Sequence, residues 1–213
     1  MKEYDFYIFD LDNTLVDSSK GYEKAYRTAF REFDMPYDPS KYHEYIRTPL
    51  EVVFDMHCKN PTPCKFREFY AIALKTYDKC HTESVDLFPD ARECIMALAL
   101  AGKSMGVVSN SGTPHIKNIL SNLGVSGLFG SFVGLERVVV PKPDPEPVLL
   151  CIREIDAIGE ATVMIGDSVA DIAAGSGAGI DTALVTRYGE HPQDCEPTYY
   201  VKSLKEVIPF RLL

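Results

Sequence analysis

The chain has 213 residues, 46% of them hydrophobic, and a formal net charge of −9. That is enough to bury one large core with a smaller insertion and argues against disorder. The acidic balance offers no broad basic surface for a phosphate backbone, so no nucleic acid is expected as a partner. No apolar run nears the roughly 20 residues of a membrane span, so no membrane is expected either.

The first predicted element is an aromatic strand, Tyr4 to Phe9, that runs directly into Asp10 and Asp12. Acids at Glu3, Asp5 and Asp10 interrupt any signal-peptide apolar region, so a cytoplasmic location is expected. From about Val16 to Asp86 the pattern is helical, with helices predicted at Ser18 to Phe33, Pro49 to Met56 and Lys65 to Lys79 and no strand. Ser18 or Ser19 is the candidate cap of the first. Short hinges are expected near Val16 to Ser19 and Asp86 to Pro89. Within this stretch His57, Cys58, Cys64, Cys80 and His81 do not keep the paired spacing of structural zinc sites and read as ordinary packed or surface residues. The six cysteines form no regular framework, and free thiols are expected.

Beyond residue 87 strands and helices alternate. Strands are predicted at Lys103 to Ser109, Ser131 to Gly134, Thr162 to Gly166, Thr182 to Thr186 and Thr198 to Lys202. Helices are predicted at Asp90 to Ala101, at Thr113 to Leu123 with Thr113 as N-cap and Pro114 in the first turn, and after Ser203, where Ser203 and Glu206 read as a capping box. The glycines of Gly175 to Gly179 read as a helix stop and a tight turn. Such alternation predicts an α/β fold with a parallel sheet, the first strand near its centre. The domains are then residues 1–15 with 87–213 as the α/β core and 16–86 as an inserted helical layer that could cover a site.

Ligands of open parallel sheets bind beyond the carboxyl ends of the strands. The residues found there are Asp10, Asp12 and Thr14, then Ser109 and Asn110, then Lys142 between two prolines, then Asp167 and Ser168 with Asp171 one turn on. Carboxylates at one rim suit a hard cation, whereas Ser109, Asn110 and Lys142 suit phosphate oxygens. Mg2+ accommodates both, because it takes one or two protein carboxylates and completes its octahedron with phosphate and water.

These four stretches, in this order, resemble the motifs of the haloacid dehalogenase superfamily of phosphohydrolases: Asp10-Leu-Asp12-Asn-Thr14, Ser109 in VVSN, Lys142, and Gly166-Asp167-Ser168-Val-Ala-Asp171. The likeness spans nearly the whole chain, and the insertion after the first motif resembles the helical cap of the phosphoglycolate and sugar-phosphate phosphatases, on a Rossmann-like core. The resemblance implies Asp10 as nucleophile and Asp12 as general acid and base, with Ser109 and Lys142 holding the transferring phosphoryl group. It implies Mg2+ held by Asp10, Asp167 and the backbone carbonyl of Asp12, with Asp171 orienting the metal's waters or Lys142. Thr14 and Asn110 are supporting substrate contacts, and Arg47, in a loop before a helix, is a candidate grip on a second anionic group.

The expected partner is a small phosphorylated metabolite, phosphoglycolate first, acted on by a monomer or homodimer. Asp12 disfavours a dehalogenase. A β-phosphoglucomutase-like mutase usually carries an acid where Gly166 stands, which favours hydrolysis. Pyrophosphatase activity remains an alternative, as does a non-catalytic phosphate-binding regulatory protein. A phosphonoacetaldehyde hydrolase would need a Schiff-base lysine in the insertion, and no motif surrounds any lysine there.

Overall fold

The computed structural model describes residues 1–48, 50–187, 192 and 194–209. Among these, the side chains of His43, Arg47 and residues 81–84 are not described. Contacts divide the chain into two units, Met1–Asp17 with Asp86–Leu213, and Ser18–Val85.

In chain order, β1 (Phe6–Phe9) comes first and is buried along nearly its whole length, with Tyr7, Ile8 and Phe9 all at 0% exposure. Successive strand residues face opposite sides, so both faces of the sheet are covered at this strand. The chain then enters the second unit and forms α1 (Ser19–Glu32), α2 (Tyr42–Arg47), α3 (Leu50–His57) and α4 (Pro63–Ser84). This unit has its own aromatic core of Tyr26, Phe30, Tyr45, Phe54, Phe69 and Tyr77. The Tyr26 hydroxyl donates to the Tyr45 carbonyl at 2.9 Å, which satisfies its buried polar end. His57 bonds the Val53 carbonyl through Nδ1 and lies beside the rings of Phe30 and Tyr45, while Cys58 is half-buried, Cys64 exposed and Cys80 buried. Ser18 takes the N-cap position of α1, but its side chain makes no capping bond. The side chains of Arg47, the predicted substrate contact, and His81, expected to be an ordinary packed or surface residue, lie outside the described residues, as does Pro49.

Back in the first unit come α5 (Pro89–Leu100), β2 (Ser104–Val108), α6 (Thr113–Asn122), β3 (Ser131–Val133), α7 (Glu146–Glu154), β4 (Thr162–Gly166), α8 (Val169–Gly177), β5 (Asp181–Val185) and β6 (Tyr199–Val201). The six strands form one parallel sheet in the order β3-β2-β1-β4-β5-β6, with β1 in the middle as expected. Ile8, Val108, Val133 and Met164 pack with Val148 and Cys151 of α7 and Ala174 of α8. Among the described residues no helix is long and apolar enough to cross a membrane.

Three local expectations need correction. Thr113 is the first residue of α6 and not its cap. Its amide is capped from outside by the Glu136 carboxylate at 2.9 and 3.0 Å, and its hydroxyl accepts from Gly134 N. The Ser203–Glu206 capping box forms, but it opens a single 3-10 turn, Leu204–Val207. The glycine stretch is not all turn, because Gly175 and Gly177 lie inside α8 and the left-handed residue is Gly179, with φ +73°. A Cβ on Gly175 would lie 2.6 Å from Thr182 Cγ2 and 2.8 Å from Met164 Cβ, so this glycine lets α8 press against the sheet.

Glycine to alanine inside a helix ordinarily stabilises by up to about 1 kcal/mol. At Gly175 the sign should reverse, because overpacking of this kind costs about 1–3 kcal/mol. Urea unfolding of Gly175→Ala should show a lower midpoint; a higher one would contradict this packing.

Candidate active site

Asp10 continues β1 by one residue, since its amide donates to the Ile165 carbonyl at 2.9 Å. It is 6% exposed. A tight turn follows, in which Leu15 N and Val16 N both donate to the Leu11 carbonyl and Asn13 N to Val16 O. Asn13 takes φ +59°, a left-handed conformation that asparagine tolerates. The turn carries Asp12, whose Oδ2 accepts from Ser111 Oγ at 3.2 Å.

Lys142 approaches from the loop after β3. Its carbonyl accepts from Asn110 Nδ2 at 3.0 Å, and the loop before it is held by the Glu146 carboxylate, which accepts from Val139 N and Val140 N. The ammonium is buried and donates to Asp10 Oδ1 at 2.7 Å, Asp171 Oδ1 at 2.5 Å and Val108 O at 2.9 Å. An ammonium has three N–H donors, so all are engaged, and a further oxygen must share or displace one of these acceptors.

Asp171 is 1% exposed, and its Oδ2 accepts from Ser168 N at 3.0 Å and Ser168 Oγ at 2.6 Å. With both oxygens occupied, Asp171 holds Lys142 in place. Space for this carboxylate exists because residue 166 is glycine: a Cβ there would lie 2.3 Å from Asp171 Cγ. Thr14 is fully buried with its hydroxyl 3.5 Å from Asp167 Oδ1, so it faces the acid cluster. Ser109 is 5% exposed and its Oγ accepts from Ser111 N at 3.0 Å, while Asn110 is exposed.

Four carboxylates, Asp10, Asp12, Asp167 and Asp171, face one ammonium here. Burial raises the Asp10 carboxyl to about 7; Lys142 opposes the shift while Asp171 and Asp12 add to it. Burial likewise lifts Asp167 well above the ordinary carboxylate range, with Asp10 and Asp171 contributing. For Lys142 burial works the other way, but Asp10 and Asp171 more than offset it and hold the ammonium above its ordinary value. Ligand oxygens of Asp10, Asp167 and Asp171 lie within 4.8 Å of one another. An all-oxygen set with surplus negative charge fits a hard divalent cation, and Asp10 and Asp167 are the members with oxygen atoms to offer it.

The sequence reading missed Ser111, Glu136 and Glu146. Ser168 was noted, but not its grip on Asp171, although the spacing Ser168-x-x-Asp171 is itself a capping-box pattern. Glu136 and Glu146 bond backbone amides in neighbouring loops, and no sequence pattern marks such contacts.

The family model described as haloacid dehalogenase-like hydrolase matches residues 7–185. A phosphoglycolate phosphatase of Colwellia psychrerythraea is 26% identical over 98% of this chain and 97% of its own. One from Aquifex aeolicus is 33% identical over 83% of this chain and 82% of its own. A solved haloacid dehalogenase-like family hydrolase from Streptococcus pneumoniae superposes with a TM-score of 0.80 at 22% identity, covering 96% of both chains.

A carboxyl raised in the folded state stabilises by holding a proton, and that stabilisation is lost as pH climbs from the ordinary value of 3.8 towards about 7. In chelator, the melting temperature should therefore fall between about pH 4 and pH 7, and Mg2+ should restore it most at the upper end. A melting temperature unresponsive to Mg2+ at the upper end would contradict the assignment of this cluster as a cation site.

Proposed function

The chain belongs to the haloacid dehalogenase-like hydrolases, and from that premise we propose that it is a Mg2+-dependent phosphatase acting on a small phosphorylated metabolite of the phosphoglycolate kind. The observation that carries this reading is the pairing of a buried Asp10, bonded through one oxygen to Lys142, with a second acid two residues on in the same turn. Relatives named phosphoglycolate phosphatase over nearly the full chain support the substrate class.

In this reading an Asp10 oxygen attacks phosphorus as the ester P–O bond breaks, and Asp12 gives its proton to the leaving oxygen. Asp12 then takes a proton from a water whose oxygen attacks the aspartyl phosphate, which releases inorganic phosphate and restores Asp10. Asp12 Oδ2 accepts from the neutral Ser111 hydroxyl, whereas Asp10 is bound to an ammonium. Lys142 keeps Asp10 aimed and offsets charge on the phosphoryl oxygens, and Ser109 lies in the neighbouring turn. Mg2+, held by Asp10, Asp167 and the Asp12 carbonyl, would supply the remaining positive charge for a loose transition state. Asp171 acts by fixing Lys142, Thr14 by facing Asp167, and Asn110 by holding the Lys142 carbonyl. The inserted unit, as the cap, would set substrate choice, with Arg47 the candidate contact for a second anionic group.

Hydrolysis is favoured over phosphoryl transfer between sugar positions at residue 166. The resembling mutases usually have an acid there, and here a side chain would collide with Asp171.

Phosphate release across a panel of phosphorylated metabolites should require Mg2+ and fall on the order of 10³-fold or more in Asp10→Asn. Asp12→Ala should lower kcat by roughly 10²–10⁴-fold. Equal release by wild type and Asp12→Ala on every substrate would refute the acid and base role. Absence of turnover on any ester would move the chain to a phosphate-binding role.

A further inference from the structure

Arg187 follows β5, a strand to which no catalytic residue has been assigned, yet its guanidinium reaches the back of the Asp10–Asp12 turn. Its NH2 group donates to the Thr14 carbonyl at 2.9 Å and its NH1 group to Asp90 Oδ2 at 2.6 Å. The plane stacks on Phe88, with Cζ 3.9 Å from the ring centroid. Both side chains of the ion pair are only 12% exposed. Asp90 Oδ2 also accepts from Ser203 Oγ at 2.7 Å and Leu204 N at 2.9 Å, so the arginine is anchored at its far end to two further elements.

The near end matters for chemistry because Thr14 belongs to the turn that carries Asp12, and its hydroxyl faces Asp167. The ring under the arginine matters too. Phe88 N donates to the Leu15 carbonyl at 3.0 Å, Val16 pairs with Leu87 as an antiparallel bridge, and Asp17 N donates to Asp86 O at 3.0 Å. The strand that leaves the first unit and the strand that returns to it are thus zipped together directly beneath this guanidinium. Lysine cannot replace it, because a point charge does not span a carbonyl and a carboxylate with two fixed donors while stacking on a ring.

We propose that Arg187 is a positioning residue that ties the Thr14 carbonyl to Asp90 and so holds the turn bearing Asp10 and Asp12 in the geometry phosphoryl transfer needs. The proposal rests on the hydrolase reading of that turn.

The test compares full-length wild type with Arg187→Ala, Arg187→Lys and Asp90→Asn, and uses Leu120→Ala, a fully buried residue in the last turn of α6, as a core-destabilised control. Misplacement of reacting groups by about 1 Å costs about 10²-fold, so Arg187→Ala should lower kcat by that order with KM little changed. Hydrogen exchange should quicken in peptides covering residues 10–17 and 86–88, with β2 and β4 protected as before. Arg187→Lys and Asp90→Asn should shift both readouts in the same sense but less, and they carry the test if Arg187→Ala does not fold. Leu120→Ala should lower the melting temperature without either change. If the arginine variants behave like Leu120→Ala, losing only melting temperature, the proposal is overturned. Should wild type hydrolyse no phosphate ester, the hydrolase reading fails by itself, and unchanged exchange at residues 10–17 would still overturn the clamp.

Discussion

A buried ammonium between two buried carboxylates organises the rim of the sheet in this molecule. Lys142 shares its three protons among Asp10, Asp171 and the Val108 carbonyl, which brings together the ends of β1 and β2, the loop after β3 and the first turn of α8. Removing one partner of such a buried group typically costs about 3–5 kcal/mol, because the charge left behind has lost its solvation and its counter-charge. The lysine also sets what its neighbours can do. In the proposed mechanism Asp10, which holds the ammonium through Oδ1, reacts through its other oxygen, while Asp171, held on both oxygens by Lys142 and Ser168, serves as a brace.

Such a brace needs room, and the room comes from a missing side chain. Gly166 closes β4, and any Cβ there would occupy the space of the Asp171 carboxyl group. Gly106 in β2 does the same for Cys151, whose Sγ would lie 2.3 Å from a Cβ at that position. Helix α8 can therefore sit close enough to the sheet for its first turn to reach the end of β4, and α7 close enough for Cys151 to press on β2. Sheet packing and site geometry are two consequences of the same close approach.

The sheet was legible because the strands are short apolar runs, followed in all but β3 by a polar residue. β4 has the predicted limits, Thr162–Gly166, and the other strands differ from theirs by two residues or fewer. The convergence of Asp10, Ser109, Lys142 and Asp167 was legible for the same reason, because parallel strands bring their carboxyl ends to one rim. Contacts decided by three-dimensional proximity were not. Thr113 had the residue type and spacing of a helix cap, but Glu136, over twenty positions away, was close enough to displace it. α2 was missed because its six residues are too few to show a helical period. Arg187 gave no signal, since an arginine after the fifth strand reads as a surface residue until Asp90, Phe88 and the Thr14 carbonyl are seen around it.

In the proposed mechanism Asp10 takes the phosphoryl group on its own carboxylate. Rapid acid quench of Asp12→Ala during turnover, followed by mass spectrometry of the peptide containing residues 4–20, tests it directly. One added phosphoryl mass is expected on Asp10, lost when the sample is treated with hydroxylamine. Phosphate release with Asp10 unmodified throughout, or a phosphoryl group found on Ser109, would contradict it.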